Sequence, residues 1–191
     1  MAATLTLKAM REPEALGARI TGQYLNIPSL LPPALIPQRF RKHHVSPTQN
    51  AARGYSFFGA REVEAFATMA GWDDTSPLRS ALAPPPVVEA VPHPALLGPD
   101  GVEGALPPAF IQVCGMDFLR DDGLVYAAML EEAGVPVRCE VSGGAPHGHF
   151  LWWPGVAPGL AEGVVRDALE GLGWLLGREV SREDLEGVMK C

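Results

Sequence analysis

The segment from Pro107 to Phe150 constrains the fold of this chain more than any other. Pro107-Pro108 opens an apolar run from Ala109 to Val113 that breaks at Cys114-Gly115. A short continuous apolar run between turn residues is the pattern of a fully buried parallel strand. Asp117 stands just past its end, and Asp121-Asp122-Gly123 leads into a helical pattern of Leu124, Tyr126-Ala127 and Leu130, with Glu131-Glu132 on the wet face. Ala133-Gly134 suits a helix C-cap, and Pro136 follows it. A second strand, Val137 to Val141, then leads to a glycine-rich loop that carries His147.

The unit therefore reads strand, helix, strand, and the fold class is α/β. Crossovers keep the ends of parallel strands on one edge of a sheet, and ligands and catalytic groups gather outside the carboxyl ends. Asp117 and His147 are thereby expected on the same edge. A carboxylate that accepts the Nδ1 proton of an imidazole fixes its tautomer and stabilises the imidazolium, so that Nε2 can take a proton from a nucleophile. Taken singly, an Asp after a strand reads as a helix cap and a His in a Gly/Pro loop as a solvated turn residue. Together, in this topology, they point to acid–base chemistry.

Four stretches carry a family resemblance: Leu106 to Ala109, Gly115 to Gly123, Ala133 to Val137 and Pro146-His147-Gly148. In order and spacing they resemble the C-terminal half of the hormone-sensitive-lipase-like branch of the α/β-hydrolase fold. The resemblance implies that Asp117, in G-x-D-x-L-R-D-x-G, is a triad acid and that His147 is the triad base. It implies a carboxylic-ester hydrolase of the kind that acts on small acyl esters in xenobiotic or secondary metabolism. The family's usual Phe after His-Gly is replaced here, giving His147-Gly148-His149-Phe150. His149 is thus a rival base, expected instead as a neighbour on the loop surface.

The family's nucleophile elbow, G-x-S-x-G, and its HGGG-type oxyanion loop have no counterpart. The serines are Ser29, Ser46, Ser56, Ser76, Ser80, Ser142 and Ser181, and none lies in G-x-S-x-G. Met1 to Arg11 resembles the helix that follows the elbow in the family. The expectation is a single, N-terminally truncated α/β-hydrolase domain over 1–191, with the acid and base but not the serine. Such a chain is either a hydrolase relative inactive or weakly active alone, or a non-catalytic remnant that binds a ligand or partner.

A net charge of −7 argues against electrostatic binding of nucleic acid or an anionic membrane. Cys114, Cys139 and Cys191 show neither CxxC nor CxxH spacing, so neither a disulfide framework, a zinc site nor a cofactor is read. Buried free thiols and no visible export or spanning segment predict a cytoplasmic protein.

Elsewhere the pattern predicts an amphipathic helix over Met1 to Met10, a strand near 22–28, a helix over Ala60 to Ala70 and a last helix over Gly159 to Leu176. From Leu30 to Ser56 no period holds, and the basic cluster Arg39, Arg41, Lys42, His43 and His44 reads as a solvated loop. No regular element is expected from Ala81 to Pro99. Trp152-Trp153 is expected to pack on the core or close a pocket mouth. Ser181-Arg182-Glu183-Asp184 reads as a capped start to a short amphipathic tail. If the family strand order applies, strands near 22–28, 109–114 and 137–142 are the last three of the hydrolase sheet. An open edge on the first would favour self-association, beside a small ester-type ligand as the other partner.

Overall fold

In the computed structural model, residues 3–6, 20–54, 60–73, 80, 96, 103, 106–152, 155 and 158–189 are described. A three-stranded parallel sheet lies at the centre in the order β1 (Gln23–Asn26), β2 (Ala109–Cys114), β3 (Val137–Ser142). Gln23 pairs with Ala109 and Asn26 with Gln112 on one side of β2, while Ala109 pairs with Val137 and Cys114 with Ser142 on the other. All six residues of β2 are buried, as the apolar run between Pro108 and Gly115 requires of a central strand.

Besides a helical turn over residues 3–6, the helices among the described residues are α1 (Gln38–Arg41), α2 (Ser46–Ala52), α3 (Ala60–Met69), α4 (Arg120–Glu132), α5 (His149–Trp152), α6 (Pro158–Leu175) and α7 (Arg182–Met189). None of them is long and apolar enough to cross a membrane. The expected α/β unit is present, with α4 as the crossover between β2 and β3. Gly134, at φ 72°, takes the left-handed conformation that ends the helix. Ser181 and Asp184 cap α7 reciprocally: the Ser181 N–H donates to Asp184 Oδ2 at 2.9 Å and the Asp184 N–H to Ser181 Oγ at 3.1 Å.

Two glycines set how closely the helices approach the sheet. Side chains alternate across β2, so Ile111 and Val113 face one side while Phe110 and Gln112 face the other. A Cβ on Gly123 of α4 would stand 2.4 Å from Val113 Cγ1, and one on Gly171 of α6 would stand 2.2 Å from the Phe110 ring. The sheet is therefore covered on both faces, and Leu25, Ile111, Val113, Val125, Met129 and Leu130 share one buried cluster.

The stretch expected to be irregular from Leu30 onward contains a 3-10 turn, Pro33–Leu35, as well as α1 and α2. These elements are too short for an apolar period to register, and α2 is fixed instead by distant side chains. The predicted N-terminal helix is described only as a helical turn over residues 3–6, with Ala3 fully buried. The stretch from Ala81 to Pro99, apart from Leu96, lies outside the described residues, as does Trp153.

Overpacking where Gly171 meets the Phe110 ring should be costly. Gly171→Val is expected to destabilise the chain by about 1–3 kcal/mol in urea unfolding. Gly163→Ala, on the same helix with nothing within 4 Å of the added Cβ, is expected to stabilise it by roughly 0.5–1 kcal/mol.

Candidate active site

The loops leaving β2 and β3 are stitched together before any functional side chain is reached. The Gly115 N–H donates to Ser142 O at 2.8 Å and the Met116 N–H to Ala145 O at 3.0 Å. Gly115 is needed there, because a Cβ would lie 2.4 Å from Gly143 O. The stitching brings Asp117 and His147 together at the carboxyl edge of the sheet. His147 Nδ1 lies 2.7 Å from Asp117 Oδ2, and the Leu119 N–H donates to Asp117 Oδ1 at 2.9 Å.

The carboxylate is 1% exposed and the imidazole 23% exposed, so the pair has a buried end and an accessible end. With Nδ1–H directed at the carboxylate, the basic lone pair of a neutral ring sits on Nε2. Phe118 flanks the ring, with centroids 6.0 Å apart. His147 also borders a cavity of about 650 Å³ whose walls include Leu31, Val63, Phe66, Phe118 and Leu151. A mostly apolar cavity with a few convergent polar groups is the usual form of a small-molecule site.

The rival base has a different environment. His149 is 3% exposed in α5, correcting its expected place on the loop surface. Its Nδ1 lies 3.2 Å from Pro146 O and 3.7 Å from Cys114 Sγ, while Nε2 is buried with no hydrogen-bond partner among the described residues. The ring stands edge-on to Phe150, with centroids 5.5 Å apart. Burial, with the charge of Asp117 adding to it, pushes the Cys114 thiol up to about 12, which keeps it protonated at neutral pH.

His44 is the second correction. Expected in a solvated loop, its side chain is 7% exposed, and Nε2 lies 2.7 Å from Asp122 Oδ1. Asp122 Oδ2 also accepts the N–H groups of Leu30 at 2.8 Å and Leu31 at 3.0 Å. One carboxylate thus holds a turn of the cavity wall and a second imidazole that lines the same cavity. Its neighbour Asp121 accepts the N–H groups of Val45 and Ser46 at 2.6 Å each and pairs with Arg120 at 2.7 Å.

Burial opposes charging of Asp121, but the Arg120 bond, the Ser46 and Val45 N–H groups and the Arg120 charge outweigh it and lower its pKa. Burial likewise opposes protonation of His44. The bond to Asp122 and the charges of Asp122 and Asp121, with a backbone hydrogen bond of His44 itself, raise its pKa on balance. The Asp121-Asp122 pair was visible in the sequence. Its partners beyond Arg120, 75 and more residues away, were not. Among the described residues no group of three or more His, Cys, Asp or Glu could hold a metal ion.

The fold and this arrangement define an α/β protein with a carboxylate–imidazole pair beside a cavity at the carboxyl edge of a parallel sheet. The profile of the alpha/beta hydrolase fold matches residues 1–151, and the chain belongs to that family. Its homologues are hormone-sensitive-lipase-like esterases. Esterase LipI of Mycobacterium tuberculosis is 41% identical over 75 residues, which are 38% of this chain and 23% of that protein. Hormone-sensitive lipase of Bos taurus is 38% identical over 72 residues, 38% of this chain and 9% of that protein. Among solved structures, vibralactone cyclase superposes with a TM-score of 0.71 at 26% identity, covering 92% of this chain and 46% of that one. The chain thus spans less than half the length of each of these proteins.

The His44 shift has a testable sign. A folded pKa raised above the unfolded value, here 6.5, contributes stability that is fully present below the unfolded pKa and is lost as pH rises through the folded one. Unfolding free energy is therefore expected to decline across that window, and His44→Asn should flatten the decline. An identical pH profile in the variant would remove His44 from the account.

Proposed function

We propose that this chain carries the acid–base half of a carboxylic-ester hydrolase, with Asp117 as the acid that orients His147 and His147 as the base. The 2.7 Å contact between His147 Nδ1 and the buried Asp117 carboxylate carries the reading. In this role Asp117 holds the ring in one tautomer and stabilises the imidazolium, while Nε2 takes a proton from the attacking group and returns it to the leaving alcohol. The largely apolar cavity beside His147 supports a small ester with an apolar body as the ligand. The relatives named as an esterase and a lipase support the same class of reaction.

A second reading is favoured by one observation: no serine of the 191 residues stands in G-x-S-x-G. Here the domain binds an ester-type ligand in the cavity without turning it over. A base without a nucleophile to activate leaves little of a triad's rate, since loss of the nucleophile removes most of the roughly 10⁶-fold contribution of such a unit.

Purified protein incubated with short-chain p-nitrophenyl esters and a fluorophosphonate probe is therefore expected to show background hydrolysis and no serine labelling. Substantial turnover that disappears in His147→Ala would reveal a nucleophile within the chain. Ser29 would be the first serine to replace, because it lines the same cavity as His147.

A further inference from the structure

We propose that Asn50 is a positioning residue that holds the Asp117 turn, an inference that rests on reading Asp117 and His147 as an acid–base pair. Asn50 lies in the last turn of α2 and is 1% exposed. Its Nδ2 donates to the Asp117 carbonyl oxygen at 2.7 Å and to the Gly115 carbonyl oxygen at 3.3 Å. An amide nitrogen carries two protons, and here one group reaches the carbonyls on both sides of Met116.

The turn is held from the sheet side through its N–H groups: Gly115 to Ser142 O, Met116 to Ala145 O and Asp117 to Cys114 O. Its carbonyls are held from the opposite direction. Asp117 O also accepts the Arg120 N–H at 3.3 Å, and Gly115 O accepts Arg120 Nη1 at 3.2 Å. Asn50 reaches both carbonyls from outside the 115–120 segment. It fixes where the backbone of Asp117 sits, and thereby where the carboxylate meets His147.

Asn50 can do this because α2 is itself tied to the same turn. Asp121 accepts the N–H groups at the start of α2, Ser46 Oγ donates to Phe118 O at 2.7 Å, and Arg120 Nη2 donates to Gln49 Oε1 at 3.1 Å. A leucine would fill a similar volume, but it would leave a buried carbonyl without its shortest donor. Small displacements of a supporting residue matter because a catalytic hydrogen bond tolerates little misplacement.

The test is proton NMR of the 191-residue chain, following the low-field resonance of the His147 Nδ1 proton, assigned by its absence in His147→Gln. In folded Asn50→Leu the resonance is expected to vanish, or to exchange with water about tenfold faster, the effect of losing one buried hydrogen bond on a local opening equilibrium. Asn50→Ser, which keeps one donor, should fall closer to the wild type. Thr48→Ala perturbs the same helix, removing only an exposed bond from Thr48 Oγ1 to Val45 O, and should leave exchange unchanged. If Asn50→Leu does not fold, Asn50→Ala, which removes the donors without adding bulk or charge, is read in the same way. A resonance unaltered in the folded Asn50 variant, or equally accelerated in Thr48→Ala, overturns the positioning role while leaving the pair intact. Absence of the resonance from the wild type overturns the pair itself and this inference with it.

Discussion

The structure around the site depends on one constraint: a fully buried carboxylate must have its oxygens satisfied. Asp117 stands at the end of the most buried strand and meets it with one backbone N–H and one imidazole nitrogen. Removing one partner of a buried pair typically costs about 3–5 kcal/mol, because the other is left uncompensated. The exit loops of β2 and β3 must therefore stay in register. The Gly115–Gly143 approach and the two backbone bonds that bridge these loops serve that register.

The same turn extends the principle twice more. Within six residues, Asp117, Asp121 and Asp122 are each nearly inaccessible, and each holds a different piece of chain. Asp117 holds the His147 loop, Asp121 holds the start of α2, and Asp122 holds the Leu30-Leu31 turn together with His44. Segments with too little apolar periodicity to define themselves are organised by carboxylates that already belong to the β2–α4 connection. The cavity wall and the Asp117–His147 pair are consequently parts of one hydrogen-bonded assembly.

What could be read from the sequence follows the range of the interactions involved. The β2–α4–β3 unit was legible because its signals are local: an apolar run between Pro108 and Gly115, a helical period from Leu124 to Leu130, and Gly134 as a cap. The approach of Asp117 to His147 was legible because topology alone sends both to one edge. The burial of His44, the shape of α2 and the role of Asn50 were not, since each depends on a partner more than sixty residues away. His149 was misplaced because a polar residue in a Gly/Pro loop reads as exposed, whereas here it is buried and its Nε2 has no partner among the described residues.

The central claim is that Asp117 and His147 act as a coupled unit. A double-mutant cycle on the unfolding free energy, with Asp117→Asn, His147→Gln and the double variant, tests it most directly. The account predicts a coupling of about 1–3 kcal/mol between the two positions, as for residues in one hydrogen-bonded pair. Additivity to within about 0.5 kcal/mol, the behaviour of independent sites, would contradict it.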